Sequence, residues 1–163
     1  MEIKIKKFLW QTSVWVGGFQ QSGLLVEKLW QKALKGLTPP RRGETLINAL
    51  ILGLGCGSAI KSLRQKFPDC QITGVEINPE MIAIGKKYFN LDKISNLKII
   101  RADAKKFVSK TKQKFDLILV DLYKGNVPEK QKINYSKILT KNGVVLINHL
   151  EGLKNRIEYL KVI

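Results

Sequence analysis

Apolar positions along the chain fall into two regimes. From residue 46 onward, short apolar runs alternate with segments of helical spacing. Ala49-Leu50-Ile51-Leu52 is unbroken by polar residues and ends in glycines, the pattern of a strand buried on both faces. Residues 71–77, 97–100, 115–120 and 144–148 supply four more strands. Between them the spacing predicts helices over about 58–67, 78–89, 104–110 and 128–139. Asn78-Pro79-Glu80 is a helix start, with Asn as cap, Pro in the first turn and an acid beside the positive end of the dipole. Met81, Ile84, Tyr88 and Phe89 form that helix's inner face. Before residue 46 the pattern differs. Residues 2–16 read as a β-hairpin, and Ser22 is placed to cap a helix over 23–36 carrying Leu25, Leu29, Trp30, Ala33 and Leu34. Thr38-Pro39-Pro40-Arg41-Arg42-Gly43 is a breaker-rich linker.

Five strands alternating with helices indicate an α/β fold with a mainly parallel sheet and helices on both faces. We divide it as an N-terminal hairpin, helix and linker over 1–43 and a main domain over 44–163. In such sheets ligands bind beyond the carboxyl ends of the strands, where the strand order reverses. After the first main-domain strand comes Gly53-Leu54-Gly55-Cys56-Gly57-Ser58, a turn that a ligand can approach closely, followed by a helix N-terminus. The dinucleotide pattern G-x-G-x-x-G is not met, because its third glycine would fall on Ser58 or Ile60. After the second strand comes Glu76, about twenty residues on, where a carboxylate accepts hydrogen bonds from ribose hydroxyls. Asp103-Ala104 follows the third strand. Asp103 can take an exocyclic adenine amine, cap the next helix, or do both. Asp121 follows the fourth, beside the reacting centre of any nucleoside ligand lodged there.

These residues resemble the class I S-adenosylmethionine-dependent methyltransferase fold, a Rossmann-like three-layer sandwich. Residues 49–150 carry the resemblance, and within the fold they look most like the spermidine synthase (polyamine aminopropyltransferase) branch. Its pieces are Leu50-Ile-Leu-Gly-Leu-Gly-Cys-Gly, Gly74-Val-Glu-Ile-Asn-Pro-Glu-Met, Ala102-Asp-Ala and Phe115-Asp-Leu-Ile-Leu-Val-Asp121, with Val16-Gly-Gly-Phe-Gln-Gln21 ahead of the domain. The resemblance implies S-adenosylmethionine, or its decarboxylated form, as cofactor. Gly53, Gly55 and Gly57 would pack on its methionine-ribose part, Glu76 would hold the ribose, and Asp103 with Ala104 the adenine. Gln21 would touch the ligand, and Asp121 would border it and serve as catalytic acid residue. No metal is implied. Two departures weigh against aminopropyl transfer. Cys56 and Lys124 stand where the synthase branch has carboxylates that hold and deprotonate a cationic amine. Methyl transfer depends mainly on proximity and orientation, so transfer of a methyl group to an unidentified small-molecule acceptor is the expectation. The alternatives are a polyamine aminopropyltransferase and a degenerate, non-enzymatic basic domain.

Charge adds a partner class. Lys and Arg number 29 against 13 Asp and Glu, a formal +16, which draws anions such as nucleic acid. Arginine, the better residue for phosphate and base recognition, occurs only at 41, 42, 64, 101 and 156. The basicity alone is therefore not specific. Two cysteines make no disulfide framework, and the expected compartment is the reducing cytoplasm. No apolar run is long enough to span a bilayer and no secretory leader is visible, so no membrane partner is expected. His149, Cys56 and Trp30 read as structural. The C-terminus is short for the resembled fold, so its last strands are expected to be truncated. The fifth strand then needs cover from the N-terminal segment or from a second copy in a homo-oligomer.

Overall fold

A computed structural model describes residues 2–38, 47–124, 127–128, 133–151 and 154–161. The linker expected at 38–43 lies largely outside these described residues. A three-stranded antiparallel sheet comes first: β1 (Ile3–Phe8), β2 (Gln11–Val16) and β3 (Phe19–Ser22), in that order. The hairpin read from residues 2–16 is β1–β2, with Phe8 opposite Gln11 across a two-residue turn. Helix α1 (Leu24–Leu34) follows, capped by Gly23 rather than by the Ser22 side chain. Gly23 at φ +119 turns Ser22 away from the helix end, and Ser22 bonds elsewhere.

The main sheet has six strands: β4 (Asn48–Leu52), β5 (Gln71–Glu76), β6 (Leu97–Arg101), β7 (Phe115–Val120), β10 (Leu139–Glu151) and β11 (Lys154–Lys161). Their spatial order is β11-β10-β7-β4-β5-β6, parallel except for the antiparallel β11. The chain runs outward from β4 through β5 to β6, then returns to place β7 on the other side of β4. The order therefore reverses between β4 and β7, as the Rossmann-like expectation requires. Helices α2 (Ser58–Lys66), α3 (Pro79–Phe89) and α4 (Ala104–Lys110) are the crossovers. Asn78 caps α3 by accepting from the Glu80 N–H at 2.9 Å.

Two apolar layers sandwich the sheet. On one face Trp30, Leu34, Ile60 and Leu63 of α1 and α2 pack on Ala49, Ile51 and Leu119. On the other, Ala104 and Val108 of α4 meet Leu50, Leu52 and Ile118. Met81 and Ile84 of α3 join Val14 of β2, which seats the N-terminal sheet beside the glycine-rich turn.

The helix expected over 128–139 does not form among the described residues of that stretch. Val127–Pro128 (β9) instead pairs antiparallel with Tyr123–Lys124 (β8), and residues 129–132 lie outside the described chain. A single 3-10 turn, Tyr135–Lys137, follows, and Asn134 holds it by accepting from the Ser136 N–H. By Ile138 the chain is already at the sheet, its carbonyl accepting from the Phe115 N–H at 2.8 Å. Tyr135, Ile138 and Leu139 do stand at helical spacing, but that pattern is one turn long, and the buried Ile138 and Leu139 are taken up by the apolar layer on the sheet instead. The edge of β10, expected to take its cover from the N-terminal segment or a second copy, takes it from neither. The chain's own β11 covers it over Val144–Glu151, and Tyr159 ties that strand to α1 by donating to the Ala33 carbonyl at 2.5 Å.

Candidate functional site

Two turns meet at the switch point. The Asp121 N–H donates to the Leu52 carbonyl at 2.8 Å, continuing the β4–β7 ladder into the turns. Gly53, at φ +83, lies so close to the other turn that an added Cβ would sit 2.2 Å from the Asp121 carbonyl oxygen. Glycine is required there because of that backbone. The N–H groups of Gly53 and Leu54 both donate to the Val75 carbonyl, at 2.9 and 3.0 Å, so the turn is anchored on β5 as well.

Above these turns is a cavity of about 450 Å³. Gln21, Gly53, Gly55, Glu76, Asp103, Ala104 and Asp121 all line it. Gly57 is not among the lining residues. It adopts φ +90 at the start of α2, and a Cβ there would strike Leu91 at 2.3 Å, so the described contact is a packing one. Ile3, Val16, Ser22 and Val26 complete one wall, which makes the N-terminal sheet and α1 part of the site.

Glu76, at the end of β5, is buried. Its Oε2 accepts from the Gly55 N–H at 2.8 Å and its Oε1 from the Asn78 N–H at 2.9 Å. A carboxylate oxygen has two acceptor sites, so each oxygen keeps capacity for a hydroxyl in the cavity. Asp103 caps α4 through Oδ1, which accepts from the Lys106 N–H at 2.8 Å, and it also lines the cavity. Its capping role and its place at the site therefore coexist.

Asp121 sits between two donors. Its Oδ2 accepts from the indole N–H of Trp30 at 3.2 Å, and its Oδ1 from the amide of Asn148 at 2.9 Å. Burial pushes its carboxyl above the ordinary value. The two donors pull the other way, and the Glu76 charge adds to the rise. Asn148, buried on β10, in turn accepts at its backbone carbonyl from the Tyr123 hydroxyl at 3.0 Å. Sequence reasoning missed Asn148 and took Trp30 for core alone. The Trp30 ring is core, but its N–H belongs to the site.

Two hydroxyls fasten the N-terminal wall to the glycine-rich turn. Ser22 Oγ accepts from the Cys56 N–H at 3.2 Å, and Ser58 Oγ accepts from the Gly23 N–H at 2.8 Å. Cys56 itself is sealed off. Its Sγ donates to the Met81 carbonyl, and burial pushes the thiol up to about 12, with the Glu76 charge adding to the rise and the Ser22 hydrogen bond opposing it. His149 pairs with Glu158 at 2.7 Å on the outer strands, away from the cavity. Among the described residues no His/Cys/Asp/Glu group has the arrangement of a metal site.

A family model described as "Methyltransferase domain" matches residues 48–161. The polyamine aminopropyltransferase 2 of Aquifex aeolicus (strain VF5) is 33% identical over 139 residues, covering 81% of this chain and 28% of that protein. A probable spermidine synthase from Corynebacterium glutamicum ATCC 13032 superimposes with a TM-score of 0.71 at 14% identity, over 90% of this chain and 60% of that one. Human methyltransferase-like protein 13 in complex with SAH gives a TM-score of 0.55 at 21% identity, over 76% of this chain and 58% of that one. The chain thus spans less than two thirds of each of these relatives. The strand order that reverses between β4 and β7 and the match across 48–161 lead to one assignment: the chain belongs to the methyltransferase domain family, with a class I S-adenosylmethionine-dependent methyltransferase fold of the spermidine-synthase-like branch.

Proposed function

We propose that the protein is a group transferase that uses an S-adenosylmethionine-type cofactor and moves a methyl group to an acceptor beside Asp121. The observation that carries this reading is the cavity's set of acceptors. Glu76, Asp103 and Asp121 converge on one hollow, and no Lys, Arg or His is among its described lining residues. Such a wall suits a cationic ligand that also carries hydroxyl and amine donors. The volume of about 450 Å³ lies within the range of roughly 300–1,000 Å³ usual for small-molecule sites. An adenosyl sulfonium meets these requirements.

When bound, the cofactor supplies an electrophilic carbon attached to positively charged sulfur. Glu76 accepts from the ribose hydroxyls, its orientation already fixed by the Gly55 and Asn78 N–H groups. Asp103 accepts from the adenine amine. Asp121 borders the cavity with a carboxylate that burial makes more basic than usual, and it is placed to take a proton from the acceptor. Trp30 and Asn148 fix its rotamer, and Ile3 and Val16 exclude water from the opposite wall. Methyl transfer is preferred because the Cys56 side chain takes no part in the cavity wall, and Lys124 stands at the other position where a polyamine would need a carboxylate. The two free, buried thiols fit a reducing, cytoplasmic setting.

A second reading, aminopropyl transfer, is favoured by a different aspect of the same wall. S-adenosylmethionine carries a carboxylate, and no basic side chain among the described lining residues would pair with it. The decarboxylated cofactor lacks that group. One experiment separates the readings: incubation with each cofactor and an amine panel, with chromatography of the nucleoside product. S-adenosylhomocysteine supports methyl transfer and methylthioadenosine supports aminopropyl transfer. Calorimetric binding of neither cofactor nor S-adenosylhomocysteine would reject both.

A further inference from the structure

We propose that the β1–β2 hairpin tip docks the protein on an anionic lipid surface. The inference is independent of the transferase reading, and it departs from the expectation of no membrane partner.

Three consecutive large apolar side chains occupy this tip. Phe8, Leu9 and Trp10 are 75%, 73% and 85% exposed. The turn itself is made of Leu9 and Trp10, and Leu9 adopts φ +53. Two-residue hairpin turns favour Asn, Asp and Gly, which tolerate positive φ and water. Leucine there is unfavourable for the backbone and for hydration alike, and among the described residues Leu9 belongs to none of the apolar clusters that could offset either cost. An apolar environment outside the protein would.

Charge says which environment. Lys6 and Lys7 are exposed on β1 directly behind the tip, and Lys4 farther along the strand pairs with Glu2 at 3.2 Å. Lys6 lies over the Trp15 ring at 4.4 Å and Lys7 over the Tyr88 ring at 5.0 Å, so both ammonium groups are held near the hairpin body rather than in free solution. A second copy of this chain would bring like charges together on two molecules each of formal +16. A protein partner needs a face of about 800 Å², and a narrow hairpin tip offers far less. An anionic membrane needs only a small apolar wedge with an aromatic at interface depth and nearby lysines, two weak signals acting together. No helix among the described residues is long and apolar enough to cross a membrane, so the contact is peripheral. The tip lies at the far end of β1 from Ile3, which lines the cavity, about 17 Å away at strand spacing. Docking therefore leaves the cavity wall in place.

The test uses the full chain and sedimentation with vesicles of phosphatidylcholine alone or mixed with phosphatidylserine. The expected result is partitioning at least about tenfold higher on the mixed vesicles, reduced by salt. A Phe8→Ser/Trp10→Ser variant should lose it. Leu9→Gly relieves the positive φ, so it should raise thermal stability while weakening partitioning, which separates docking from folding. Equal partitioning on both vesicle types, or partitioning unchanged in the tip variants, overturns the proposal. So does tip-dependent dimerisation in sedimentation equilibrium, or tip-dependent retention on RNA with none on vesicles.

Discussion

At the scale of single residues, Asp121 shows how a charged group is kept usable in a partly apolar place. Its carboxyl is raised by burial and steadied by Trp30 and Asn148. The folded state therefore favours the protonated form. That contribution to stability is complete below the ordinary value of 3.8 and fades as pH rises through the raised one. Asp121→Asn removes the buried charge, so its melting temperature at neutral pH should not fall, while turnover drops by about 10²–10⁴. Calorimetry and product assays read the two effects separately. Trp30→Phe removes a donor to the carboxylate and should move the acid limb of the kcat/KM profile to higher pH. At Gly53 the outcome is structural. Gly53→Ala places a Cβ against the Asp121 carbonyl and should cost about 1–3 kcal/mol in urea titration. The acids at 76, 103 and 121 were legible in the sequence because strand ends can be counted and topology says what strand ends do. Trp30 and Asn148 were not. They stand 91 and 27 residues from Asp121, and periodicity places a side chain on a face without saying which of its atoms finds a partner.

Among the elements, α3 and β11 teach opposite lessons. The start of α3 was readable because Asn78-Pro79-Glu80 is local chemistry, and the same Asn78 contributes its N–H to Glu76. Asn78→Ala keeps that N–H and loses only the cap, so it should cost about 1 kcal/mol of stability with cofactor affinity little changed. Comparing chemical denaturation with calorimetry checks the pair. The helix expected after residue 128 failed because a proline that can open a helix can also sit in a short strand, and only long-range pairing decides. The cover on β10 was unreadable for a related reason. β11 is half polar, and its place depends on partners such as Tyr159 with Ala33, 126 residues apart.

For the whole molecule, a strongly basic surface surrounds a cavity walled by acids. Far from the protein a cationic cofactor is repelled, and inside the cavity it is held. Its association rate should therefore rise, not fall, from low to physiological salt, as screening shortens the repulsion to about 8 Å. Stopped-flow fluorescence with decarboxylated S-adenosylmethionine measures this directly.

The paired hydroxyls of Ser22 and Ser58 have a consequence for motion. Each protects an amide on the other's segment, Cys56 in the turn and Gly23 before α1. Neither proton can reach bulk water until both segments part. Deuterium uptake at positions 23 and 56 should then follow a common clock, slowed equally by anything that fills the hollow beneath.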